Sequence, residues 1–180
     1  MSIKNAVKGV FCGKRTNTLP AGEPAPPIEL KDTKGREVAL ESALKKGPVI
    51  AAFFKVNCPT CQFTFPFLER MYETYGGEGF SFLGISQNDA RDTQEFAQEF
   101  GIEFPLLIDE ESSFPASNAY GITNVPSVFL ISQDGKILER SVGFGKRELE
   151  KMAQEAARAT NRPATSLFRP GEVVPDHKPG

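Results

Sequence analysis

Six consecutive apolar residues, Val49-Ile50-Ala51-Ala52-Phe53-Phe54, run almost directly into Asn57-Cys58-Pro59-Thr60-Cys61. The run has the length of a strand. Because it is continuous rather than alternating, it predicts a central strand buried on both faces. A long helical pattern follows: Cys61, Phe65, Leu68, Tyr72 and Tyr75 share one helix face, and Gly76-Gly77 stops it. Pro66 falls inside this helix, where a proline removes a hydrogen bond and is expected to kink the axis.

Further elements flank this unit. Residues 28–31 and 37–40 alternate around the turn Asp32-Thr33-Lys34-Gly35, which predicts a hairpin. Residues 41–46 have room for one helical turn. Strands are predicted at 80–85, 104–109, 127–131 and 137–140, and helices at 89–100, 113–120 and 146–160. Leu149, Met152, Ala153 and Ala156 should face inward on the last helix. The order implies an α/β domain with a central mixed sheet flanked by helices and an N-terminal β-hairpin extension. Residues 1–22 read as an N-terminal arm, 23–160 as the domain, and 161–180 as a tail that is extended or partly disordered.

Charge and composition exclude several functions. Lys and Arg total 21 against 23 Asp and Glu, so the net charge of −2 gives no electrostatic reason to seek nucleic acid. No apolar run approaches the roughly 18–20 residues that span a bilayer. Residues 1–20 scatter their charges and do not read as a secretory signal, so the expectation is a cytoplasmic protein, with an exported form whose signal was trimmed as the alternative. Nothing local in Lys178-Pro179-Gly180 explains a stop, which leaves a truncated chain open. With three cysteines a disulfide scaffold is excluded. The one histidine, His177, lies in the tail and reads as an exposed residue, so a Cys-His or Ser-His pair in the core is excluded. Tryptophan is absent and phenylalanine numbers 15, which predicts a Phe-rich core, with Phe63 among candidates for an apolar patch near the cysteines.

The chemistry concentrates at Cys58 and Cys61. Cys58 falls at the start of a helix, where free backbone N–H groups and the positive dipole end favour an anion and hence a reactive thiolate. Cys61, one turn on, can close a small disulfide ring with it. Pro59 suits the first helical position because the N–H it lacks has no intrahelical role there. A zinc site would need two more ligands, and only Cys12 and His177 remain, at opposite ends of the chain. The reading therefore calls for no metal and no cofactor. Cys12 is expected to be a small reduced residue, with a third redox thiol as the alternative. Val125-Pro126 leads the strand at 127–131.

Taken together, these motifs resemble the thioredoxin superfamily, in its redoxin branch of TlpA/ResA-like thiol–disulfide oxidoreductases with AhpC/TSA domains. The residues that carry the resemblance are Gly22-Glu23-Pro24-Ala25-Pro26 with the hairpin, Phe53-Phe54 leading to Cys58-Pro59-Thr60-Cys61, Pro66, the segment Gly121-Ile122-Thr123-Asn124-Val125-Pro126-Ser127, and Asp134-Gly135-Lys136-Ile137. They span roughly residues 20–160. The resemblance implies a thioredoxin-like fold, Cys58 as nucleophile and Cys61 as resolving thiol. It also implies a cis Val125-Pro126 bond opposite the disulfide, and a substrate-binding edge formed by Val125 and Pro126 with Pro59 and Thr60. Three positions depart from the pattern. Asn57 replaces the usual aromatic residue, Ala52 the buried acid, and Thr64 the glutamate after the second cysteine. Both usual proton acceptors for Cys61 are missing, which leaves Lys55 as a neighbouring charge and Glu103 or Asp109 as candidate replacements.

The expected partners are a protein or small-molecule disulfide substrate and an unidentified dithiol reductant. Two other functions compete. A peroxiredoxin-like peroxidase would need a Pro-x-x-x-Thr-x-x-Cys segment, and here Cys58 stands where that threonine would be. A non-catalytic thioredoxin-fold binding module would use the Val125-Pro126 edge and nearby Phe residues to dock a partner, and the intact cysteine pair argues against it.

Overall fold

In the computed structural model, which describes residues 17–180, the apolar run forms strand β3 (Val49–Phe54), and all six residues are buried. Cys12 lies outside the described residues. β3 is parallel to β4 (Ser81–Ser86) on one side and antiparallel to β6 (Ser127–Ile131) on the other. The hairpin β1 (Glu29–Asp32) and β2 (Glu37–Ala39) is not an appendage. β1 pairs with β5 (Leu106–Ile108), and with β7 (Ile137–Val142) they complete one mixed sheet in the order β2-β1-β5-β4-β3-β6-β7. Between β2 and β3, residues Leu40–Leu44 make the short helix α1.

Alternation along β3 divides the core in two. Ile50, Ala52 and Phe54 pack on the face covered by α2 (Pro59–Tyr75), α3 (Ala90–Phe100) and α5 (Lys146–Ala159). Val49, Ala51 and Phe53 pack on the face shared by α4 (Pro115–Tyr120), the hairpin and Leu19. The expected Phe-rich core is present: the Phe54 ring lies 4.3 Å from Phe65 and 5.0 Å from Phe96. Leu149, Met152, Ala153 and Ala156 are all buried, as the periodicity of α5 predicts. α2 runs continuously through the interior Pro66.

Asp89 caps α3 by accepting the Asp92 N–H, and Gly101 ends that helix in the left-handed region at φ 65°. Among the described residues no helix is long and apolar enough to cross a membrane.

The tail departs furthest from its expected looseness. Residues 161–180 are extended and largely exposed, but Leu167 and Phe168 are buried against α2 and α5. Residues His177–Lys178 form a two-residue strand, β9, antiparallel to β8 (Phe144–Gly145). His177 is exposed, as expected, yet its backbone is paired.

One buried acid sits in α2. Glu69 is 5% exposed; its Oε2 accepts the Glu103 N–H, and its Oε1 has no partner. Burial raises its pKa above the ordinary value of 4.5, with the backbone N–H groups of Glu103 and Phe104 opposing. Above that ordinary value the unfolded chain releases this proton while the folded chain still holds it. Glu69 therefore makes stability fall as pH rises from about 4.5 through the raised folded value. Glu69→Gln keeps an acceptor for Glu103 and removes the titration. In urea denaturation, the variant should gain stability relative to the parent between pH 4 and 7; parallel curves would contradict the assignment.

Candidate active site

β3 ends at Phe54, and the loop that follows is held on both sides of Val56. The Val56 N–H donates to Asn88 Oδ1 at 3.0 Å, and Gln62 Nε2 donates to the Val56 carbonyl at 2.9 Å. Asn88 is fixed in turn by its N–H to Ser86 Oγ, which also bonds Thr93. Sequence reasoning missed Asn88 and Gln62. Neither belongs to a periodic pattern, and their roles depend on a loop 32 residues away in one case.

This clamp delivers Cys58 to the N-cap of α2. Its backbone is extended, Pro59 follows at the first turn, and Cys58 Sγ accepts the Cys61 N–H at 3.2 Å. The Cys58 thiol donates to the Val125 carbonyl at 3.3 Å. The Val125–Pro126 bond is cis, as expected. The chain thus brings Cys58, Cys61, Thr60, Val125 and Pro126 to one edge of the sheet, with Pro59 exposed beside them.

The two thiols differ in setting. Cys58 is partly exposed and Cys61 fully buried, and both are free. Burial pushes the Cys61 thiol well up, and its hydrogen bond to Cys58 adds to this. The Lys55 backbone N–H and, more weakly, the Lys55 charge pull the other way. Lys55 is the neighbour anticipated from the sequence.

Among the described residues, no carboxylate acts on the Cys61 thiol. Glu103 is exposed, and Asp109 uses both oxygens to accept the Ala116 and Ser117 N–H groups at the start of α4. Neither replaces the missing acid. Ala52 and Thr64, at the two positions where an acid is usual, are fully buried, and the Thr64 hydroxyl is spent on the Thr60 carbonyl.

Phe63 is half-buried beside the site, edge-on to Phe67 at 5.4 Å and to Phe144 at 5.0 Å. The tail reaches the same place. Thr60 Oγ1 donates to the Pro179 carbonyl at 2.7 Å, and Lys178 Nζ lies 5.1 Å from the Phe63 ring centre. The Pro-rich tail carried no pattern that could have announced these contacts.

Comparison with known proteins gives a consistent result. The AhpC/TSA family model matches residues 21–140. The thiol-disulfide oxidoreductase ResA of Geobacillus thermodenitrificans is 31% identical over 128 residues, 71% of this chain and 72% of the relative. ResA of Bacillus subtilis is 27% identical over 143 residues, 79% of this chain and 75% of the relative. Among solved structures, a thioredoxin-family thiol:disulfide interchange protein from Chlorobium tepidum superposes with a TM-score of 0.63 at 26% identity, covering 78% of this chain and 98% of that one.

The contrast between the thiols predicts their reactivity. With iodoacetamide at pH 8 and peptide mapping, Cys58 should be modified at least about tenfold faster than Cys61, because rate follows thiolate fraction and access. Equal rates would contradict the burial of Cys61.

Proposed function

The chain belongs to the AhpC/TSA family, and from that premise we infer that it exchanges dithiols for disulfides at Cys58 and Cys61. It is a thiol–disulfide oxidoreductase acting on protein disulfides. The single observation that carries the assignment of roles is the contrast within one helical turn: a partly exposed thiol at the helix N-cap and a fully buried one behind it.

In the reducing direction the Cys58 thiolate attacks one sulfur of the substrate disulfide. The S–S bond breaks, and the other substrate sulfur departs as a thiolate. A mixed disulfide remains on Cys58. Cys61 gives up its proton to the departing thiolate, then attacks the Cys58 sulfur. The second substrate sulfur leaves, and the Cys58–Cys61 disulfide holds the oxidising equivalents. Two electrons have passed to the substrate, and an external dithiol restores the protein by the reverse exchange. The high proton affinity of Cys61 suits this order, because it keeps the resolving thiol neutral while Cys58 engages. The cis Val125-Pro126 edge with Thr60 and Pro59 is assigned to the substrate backbone, which an extended strand would meet by pairing. A cytoplasmic setting, where glutathione and thioredoxin pools keep dithiols reduced, favours reduction as the working direction.

Two measurements test this. Cys61→Ser should accumulate a mixed disulfide with a protein substrate, found by mass spectrometry at Cys58, while Cys58→Ser should form none and lose turnover. Adducts at position 61 in the Cys58→Ser protein would reverse the roles. The potential of the pair, read by alkylation and mass after equilibration in thiol buffers, should lie near roughly −270 mV for a cytoplasmic reductase. A value near roughly −120 mV would instead make it an oxidant.

A further inference from the structure

The tail does more than cover α2. It is tied down early and then led to the thiols. Arg70 makes a two-bond pair with Glu172 at 2.8 and 2.9 Å and also donates to the Leu167 carbonyl. This pairing holds the Glu172 carboxyl at about 2, well below its ordinary range. Phe168 packs on Phe67 at 5.1 Å. The Asp176 carbonyl then accepts the Lys146 N–H at the start of α5. From there β9 pairs with β8 and carries the chain to the cysteine edge.

At that edge the contacts are made to groups of the site itself. Thr60, two residues after Cys58, donates its hydroxyl to the Pro179 carbonyl. Asn124 Nδ2 donates to the Gly180 carbonyl at 3.3 Å. Gly180 lies so close to the Val125 backbone that any side chain there would run into the Val125 carbonyl, the same oxygen that accepts the Cys58 thiol. Gly143, at φ 76° and hydrogen-bonded to the Pro126 carbonyl, leaves no room for a Cβ beneath the Lys178 carbonyl. Glycines at both faces of the contact therefore let two stretches of backbone meet. Cys58 itself stays partly exposed.

We propose that residues 177–180 are a built-in strap that occupies the peptide-docking edge and competes with extended protein disulfides, while leaving Cys58 open to small ones. The proposal rests on the oxidoreductase reading above. On the oxidoreductase reading a protein substrate docks along Thr60 and the Val125 backbone; the strap bonds the Thr60 hydroxyl and lays Gly180 against the Val125 backbone. The last grip is slight, a two-residue strand pair and two side-chain hydrogen bonds, so a substrate strand can displace it. The anchors at Phe168 and Glu172 keep the displaced strap nearby at high effective concentration, so it closes again after each turnover.

The test compares the full chain with a form lacking residues 176–180, which retains Leu167, Phe168 and Glu172. Each is pre-reduced and mixed in single-turnover experiments with insulin and, separately, with glutathione disulfide. Loss of one or two net hydrogen bonds of competition corresponds to about a tenfold rise in the insulin rate constant. The glutathione disulfide rate should change less than about twofold, since that substrate needs no strand pairing. A synthetic peptide of sequence 172–180 should slow insulin reduction by the shortened form and not by the full chain. Lys178→Glu, which keeps the whole chain and removes the cation from Phe63, should raise the insulin rate by about two- to threefold. Equal insulin rates in all three proteins would overturn the strap and leave the oxidoreductase reading intact. A lower insulin rate in the shortened form would make the tail part of the docking surface and overturn the strap equally. If neither disulfide reacts with any form, the oxidoreductase reading fails and the strap falls with it.

Discussion

Everything at the site hangs on where β3 runs out. A strand buried on both faces cannot shift register or tilt without disturbing two cores, so its last residue, Phe54, is a fixed point. From that point the backbone crosses to α2 in four residues, and Val56 in the middle is bonded through both its N–H and its C=O. One donor comes from α2 and one acceptor from the loop before α3, so three elements agree on where Cys58 stands. Pro59 then adds a fixed φ at the first helical position. The N-cap thiol is rigid because the strand behind it is rigid.

That rigidity separates the chemistry of two cysteines only three positions apart. The helical turn that exposes Cys58 buries Cys61 among the apolar residues of α2. Burial makes ionisation of the second thiol costly, and the neighbouring sulfur adds to the cost. Among the described residues no acid stands against Cys61 to relieve this. The buried acid of α2, Glu69, lies two turns further along that helix and faces the Glu103 backbone. Against that cost stand only the Lys55 backbone N–H and, more weakly, the Lys55 charge.

Much of this was legible because the informative residues are close together in sequence. The bounds of β3 and β6 follow from apolar runs, α2 from the spacing of Cys61, Phe65, Leu68 and Tyr75, and the cis Val125-Pro126 bond from the resemblance. What escaped was built from single contacts over long separations. Asn88 reaches Val56 across 32 positions, and Thr60 reaches Pro179 across 119. β8 and β9 have two residues each, too short for any period to register. The hairpin was legible as a hairpin, but its joining the main sheet through β5 was not, because that pairing involves only Lys31 and Asp32 with Leu107 and Ile108.

The tail shows why an absence of periodicity is weak evidence for looseness. Prolines at 163, 170, 175 and 179 deny it helix, yet each also restricts the unfolded backbone and so lowers the entropy lost on docking. A segment of this kind needs few contacts to be held. It has two buried apolar side chains, one two-bond ion pair to a half-buried arginine, and a strand pair at the end. These are graded along its length: the apolar and ionic anchors lie at residues 167–172, and the sparsest grip lies at 177–180, against the thiols. A segment held in that order is gripped least at residues 177–180. The sparsest part of the grip is the part that lies on Thr60 and Val125.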